Sequence, residues 1–216
     1  MISAVAVAIL ATQAPAAVTL RMSFTKGAKY EYTLKTLSRT ADTALPANTP
    51  IKVEVLDVVD GIATIAYTYG PTVVGVAKPE PAKSGRGKID RRGRIVEGNA
   101  IELQSVLPME LPEKPLKVGD TWEATEDMNL FVGSTSVRTV YKLESIKVEN
   151  GRTVATIRFT MQGRGSLDVR GAGSVRIRTR DGFLAHTYSA LNASTLVGQR
   201  EVKVTAETEV TMTKEP

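Results

Sequence analysis

Apolar residues in this chain recur at every second position far more often than at every third or fourth. In Ala63-Thr64-Ile65-Ala66-Tyr67-Thr68-Tyr69, residues 63, 65, 67 and 69 share one face, and residues 64, 66 and 68 the other. Ala155-Thr156-Ile157-Arg158-Phe159-Thr160-Met161 repeats that arrangement. Period-two alternation rich in β-branched and aromatic residues marks a half-buried strand. Each run follows a turn pair, Asp60-Gly61 or Asn150-Gly151, and before it another alternating run, 51–55 or 140–146. Asp-Gly and Asn-Gly between alternating runs signal two-residue hairpins. Further strands are predicted at 29–37, 94–97, 134–140, 174–180, 183–191 and 201–212. No segment sustains a 3.6-residue period, and the one helix candidate runs from Asn99, as N-cap, to Leu107. The pattern predicts an all-β fold of meandering antiparallel strands.

The two hairpins belong to a longer internal repeat. Lys26-Gly27-Ala28-Lys29-Tyr30-Glu31 corresponds to Val118-Gly119-Asp120-Thr121-Trp122-Glu123, and 63–69 to 155–161, both at an offset of 92. Asp60-Gly61 matches Asn150-Gly151 at 90, and Arg92-Gly93 matches Asp181-Gly182 at 89. The organisation read from this is a leader over 1–17, a first β-rich repeat over 18–108, a joint over 109–117 and a second repeat over 118–216. Prolines 108, 112 and 115 favour an extended connector at the joint. Two repeated meander halves form a continuous curved sheet, a half-barrel or a pair of small barrels. Apolar Leu107, Leu111, Leu116 and Val118 at the joint favour one continuous structure, with Trp122 as a structural anchor buried where the halves meet.

Residues 1–18 carry no charged side chain, and Ile2–Ala11 is apolar apart from Ser3. That run has the length of a signal-peptide core and is too short to span a bilayer. Ala14-Pro15-Ala16 supplies the small-x-small pattern of a cleavage site. Cleavage after Ala16 or Ala17 and a periplasmic or secreted location are expected, with no transmembrane span in the mature chain.

Composition narrows the chemistry. At 216 residues, 42% hydrophobic and 24% charged, the chain is unlike collagen, low-complexity or polytopic membrane sequences. With no cysteine and a single histidine, His186, the usual ligands of zinc and iron–sulfur sites are missing, and so are thiol nucleophiles. His186 lies in an alternating run that places it with Leu184 and Tyr188, and no Asp or Glu falls within four residues of it. The nucleophile pattern G-x-S-x-G is absent, so His186 reads as structural. The acidic group Asp120, Glu123, Glu126 and Asp127 reads as turn and solvated-strand residues. Gly85-x-Gly87, Gly163-x-Gly165 and Gly171-x-Gly173 lack the strand-to-helix context of phosphate loops and read as turn, bulge or kink glycines. No catalytic, cofactor or metal residue is assigned, and the chain is expected not to be an enzyme.

Charge is the uneven feature. Residues 78–94 carry seven Lys/Arg against two acids, and residues 158–180 carry six Arg against Asp168 alone. In the second segment Arg176, Arg178 and Arg180 share one face of the predicted strand, and with Arg158 they form a candidate anion-binding face. The competing reading is a solvated face whose arginines pair with acids across the strands, such as Glu207 and Glu209. Nucleic acid is not expected, since few aromatics interleave the arginines.

The string 111–122, Leu-Pro-Glu-Lys-Pro-Leu-Lys-Val-Gly-Asp-Thr-Trp, resembles the "P-x-K-P-[VL]-K-x-G-D-x-W" joint of exported bacterial β-rich proteins of unknown function. Gly85-Arg86-Gly87 followed by Asp90-x-x-Gly93 resembles a Gly-rich element of the same group. The resemblance implies a periplasmic or surface β-sheet protein and brings no catalytic residues. The function expected is a non-enzymatic binding or envelope-associated module, holding a lipid or other apolar ligand or meeting an anionic envelope component. The alternatives are a structural or protein-interaction domain and, third, a hydrolase acting through carboxylates.

Overall fold

The computed structural model describes residues 17–75, 77–98, 109–130, 133–163, 167–197 and 200–215, with side chains omitted at 126–130, 133, 134, 197 and 200. The leader up to residue 16 and the helix expected at Asn99–Leu107 lie outside these residues. The described elements are all strands: β1 (Lys29–Arg39), β2 (Ala44–Val59), β3 (Ile62–Tyr69), β4 (Val73–Val74), β5 (Lys83–Ile89), β6 (Ile95–Glu97), β7 (Thr121–Leu130), β8 (Gly133–Glu149), β9 (Arg152–Gly163), β10 (Asp168–Arg178), β11 (Leu184–Val197) and β12 (Arg200–Lys214). They form one open antiparallel sheet in the order β6-β5-β3-β2-β1-β12-β11-β10-β9-β8-β7, with β4 added to β2. The all-β expectation holds, and of its three variants the continuous sheet is the one formed.

The stretches matched in the sequence make corresponding hydrogen bonds. Asp60 and Gly61, then Asn150 and Gly151, all take positive φ between 49° and 78°, the two-residue turn that matches strand twist. Each following hairpin carries a bulge at the same place: Leu56 is unpaired in β2 opposite Ile65/Thr64, and Glu144 in β8 opposite Ile157/Thr156. The Gly27 amide donates to Val55 O at 2.8 Å, as the Gly119 amide does to Leu143 O at 2.8 Å. Tyr30–Val53–Tyr67 in the first half therefore lies where Trp122–Tyr141–Phe159 lies in the second. The two basic segments are not neighbours, since β5 and β10 are far apart in the strand order.

The sheet is rolled. The consecutive residues Met22 and Ser23 donate to Arg91 O, in the β5–β6 turn, and to Asp181 O, in the β10–β11 turn. In a flat sheet those turns would be six strand spacings apart, about 29 Å at ~4.8 Å each. Leu111 N also reaches Arg92 O at 2.7 Å, and Val18 and Leu116 exchange backbone hydrogen bonds. Arg21 fastens the two extended segments to each other by donating to the carbonyls of Pro112 and Glu113. Leu20, Met22, Met109, Leu111 and Leu116 thereby join one core with Ile51, Val55, Ile65, Ile89, Leu143, Ile157, Val175 and Val210. At this end of the strands the rolled face is filled by the chain itself.

Candidate functional site

The arginines expected on one face do not share one. Arg176 stays on the outer face of β10 and pairs with Glu149, while Arg158 pairs with Glu144 at 2.7 Å. Strand β10 ends at Arg178, and Thr179 and Arg180 already belong to the turn. Arg178 is consequently drawn inward, its side chain only 8% exposed, and Arg180 is left exposed, with no ion pair among the described residues. The acids suggested as partners serve others: Glu207 pairs with Arg39, and Glu209 with His186 at 3.1 Å. The expected stripe therefore separates into two cross-strand pairs, one buried guanidinium and one exposed one.

The buried guanidinium organises a pocket. Arg178 Nε and an Nη donate to the two carboxylate oxygens of Asp181, at 3.1 and 2.6 Å. Asp181 Oδ1 also accepts the Phe183 amide, which fixes the turn. The other Nη of Arg178 lies 3.2 Å from Glu215, which also pairs with Arg152. Beneath these charges the Tyr30 ring stacks on Phe183, with centroids 3.9 Å apart, and Phe24 meets Phe183 edge-on. The Arg178 guanidinium carbon lies 5.7 Å from the centre of the Tyr30 ring, a cation–π contact. Burial, reinforced by the Asp181 charge, pushes the Tyr30 hydroxyl up to about 12. Burial pushes Tyr32 up still further, and its hydroxyl makes no hydrogen bond among the described residues. The resulting cavity, about 630 Å³, is lined by Arg152, Arg178 and Arg180 against Asp181 and Glu215, with the hydroxyls of Ser23, Thr25, Thr153 and Thr179 around them. Three cations facing two carboxylates leave one positive charge over.

The remaining candidates resolve into structure. His186 sits on the outer face, but not with Leu184: a bulge at Ala185 turns Leu184 inward and leaves His186 and Tyr188 outside. Glu209, its partner, comes from β12 and could not be seen in local sequence. Asp120 accepts the Lys117 amide at 2.8 Å as a turn residue. Glu123 is held by Arg138 at 2.8 and 2.5 Å, and those bonds pull its carboxyl below the usual range. Gly85 and Gly173 are strand glycines, not loop glycines. A Cβ on Gly85 would collide with the Tyr67 hydroxyl, and one on Gly173 would lie 2.5 Å from the Phe159 ring. Trp122 stacks on Tyr141 at 5.3 Å and packs half-buried against the core. Its strand, β7, is an edge of the sheet, so the hydrogen-bonded seam between the halves is β1–β12 and not the neighbourhood of Trp122.

Arg152, Asp181 and Glu215 are the charged pocket residues that sequence reading missed, and Tyr30 beneath them was missed too. Arg152 directly follows the Asn150-Gly151 turn pair, which aims it at the end of the core. That was the available signal.

No family model matches the chain, and no curated protein matches it. Among solved structures it is similar to a Bacteroides fragilis NCTC 9343 protein described as exported, with a YmcC-like fold. That match has 8% identity over 92% of this chain and 99% of that chain, with a TM-score of 0.42. It is also similar to the S-type phycobiliprotein lyase CpeS of Guillardia theta, at 9% identity over 86% of this chain and 88% of that one, with a TM-score of 0.34. Both likenesses are weak, and the functional reading rests on the residues of this chain. Among the described residues no helix is long and apolar enough to cross a membrane.

Proposed function

We propose that the chain is a non-enzymatic binding module of the bacterial envelope, exported by its leader, which takes an anionic group in the pocket at the closed end of the sheet. One observation carries the reading: Arg178 is buried at a cavity of about 630 Å³ that Arg152 and Arg180 also line. A planar guanidinium already held in place recognises a carboxylate or phosphate with little loss of rotamer freedom. Arg180 supplies donors that no described acid of the chain occupies.

The test is titration of the protein with inorganic phosphate and, separately, with phosphatidylglycerol vesicles, monitored by thermal stability and co-sedimentation. Saturable binding that falls at least tenfold in Arg180→Gln, with the fold intact, is the expected result. Binding of phosphate alone identifies a free small anion, and binding of vesicles alone a lipid headgroup. If neither probe binds, or if both bind Arg180→Gln as well as the parent, the pocket is purely structural.

A further inference from the structure

The repeat allows the same strand to be seen in two settings. In the first half β1 has a neighbour on both sides, β2 and β12. Its counterpart β7 is paired with β8 on one side and, among the described residues, has no strand on the other. The empty side of β7 is the side that β12 occupies on β1. Ten residues of unpaired edge form a ready template for another strand.

We infer that the free edge of β7 accepts an antiparallel strand from a partner protein, one that alternates basic and apolar residues. The chemistry of that strand follows from the occupied copy. On β1, Glu31 faces Lys214 of β12 at 3.6 Å on the outer face, and Tyr32 faces Met212 on the inner. The equivalents of Glu31 and Tyr32 are Glu123 and Ala124. By alternation Glu123 and Asp127 fall on one face of residues 121–130 and Glu126 on the other, and the segment has no Lys or Arg. Glu123 is paired with Arg138 of β8. Lysines on the outer face and valine-sized residues on the inner face therefore complete β7 as β12 completes β1.

A second observation marks this edge. The indole N–H of Trp122, on β7, is buried and makes no hydrogen bond among the described residues. A buried donor left unpaired costs about 1–3 kcal/mol, and the ring that carries it stacks on Tyr141 of β8. Trp122 is also the only tryptophan in the chain, so its emission reports on this edge alone.

The probe is an eight-residue alternating lysine–valine peptide, with a glutamate–valine peptide as control, titrated into the full chain while tryptophan emission is followed. A saturable emission change with the lysine peptide is expected, at least tenfold weaker with the glutamate peptide. Glu123→Lys should reverse that preference while the circular dichroism stays unchanged. Equal response to both peptides, no response, or an unaltered preference in Glu123→Lys overturns the proposal. An emission change that appears on concentrating the protein without peptide, together with a dimer by sedimentation, also overturns it by showing that a second copy fills the edge. This outcome is independent of the arginine pocket, since β7 contributes no residue to it.

Discussion

The two halves of the sheet share a skeleton and differ in how they end. Both have a positive-φ hairpin turn, a bulge four or more residues before it, and an aromatic lying over a strand glycine. At the next turn they diverge. Asp90 opens the first, and its carboxylate accepts the amides of Arg92 and Arg94. Arg178 opens the second at the equivalent place, its amide bonded to Phe183 O as the Asp90 amide is bonded to Arg94 O. A carboxylate caps its own backbone, whereas a guanidinium has no acceptor to offer and must find acids. Asp181 and Glu215 provide them, and a pocket results. Within the repeat, one polarity swap at an equivalent backbone position separates a plain turn from a candidate site.

The largest expected effect tests the shared skeleton. A Cβ on Gly173 would run into Tyr188 O as well as the Phe159 ring, whereas the three atoms nearest one on Gly85 all belong to the Tyr67 side chain. Backbone cannot swing away as a ring can. Gly173→Ala is expected to cost about 3 kcal/mol and Gly85→Ala about 1 kcal/mol, measured by urea unfolding. Equal costs would show that the two aromatic-over-glycine seats are built alike.

The second expectation tests the divergence. Arg178→Met leaves Asp181 and Glu215 facing each other's charge near a half-closed cavity. Because Glu215 is about a third exposed, solvent moderates the loss, and about 2 kcal/mol is expected. Arg94→Met, at the corresponding turn, removes an ion pair whose arginine is 63% exposed and should cost at most about 0.5 kcal/mol. A small loss for Arg178→Met would mean that the buried pair is no better than the surface one.

The strand and turn skeleton was legible because its signals are local. The alternation at 63–69 and 155–161, with the turn pairs before them, marks both central hairpins in the sequence. A curved sheet was among the expectations, but the contacts that roll it were not legible. They depend on Met22 and Ser23 reaching turns about 70 and 160 residues away, and no short-range pattern records such bonds. The arginine face failed for a related reason. Period two gives Arg176, Arg178 and Arg180 one face only while the strand lasts, and β10 stops at Arg178. The bulge at Ala185 likewise reversed the company of His186, since one inserted residue moves a side chain to the other face. Arg178 and Arg180 do line the pocket, but in a geometry set by the strand's end and by acids distant in the chain, which alternation alone does not encode.

The smallest effect separates Tyr30 from its counterpart Trp122, which has no proton to lose near neutral or alkaline pH. Burial and Asp181 raise the Tyr30 hydroxyl from its ordinary 10.0 to about 12. The unfolded chain therefore loses this proton before the folded one does. The contribution to stability is complete below pH 10, falls as the pH rises, and is gone once the folded tyrosine itself ionises near pH 12. Tyr32 acts in the same direction. Between the two ionisations each step of one in pH removes ~1.4 kcal/mol, so the parent protein should have lost about 1 kcal/mol through Tyr30 at about pH 11. In Tyr30→Phe that part of the alkaline loss should disappear, whatever the variant's stability at neutral pH. The ring, its stack on Phe183 and its place beneath Arg178 are all retained, so the pH slope isolates the hydroxyl from the packing. An unchanged slope from about pH 10 to about pH 12 in Tyr30→Phe would show that alkaline sensitivity does not arise in the first half's side of the pocket.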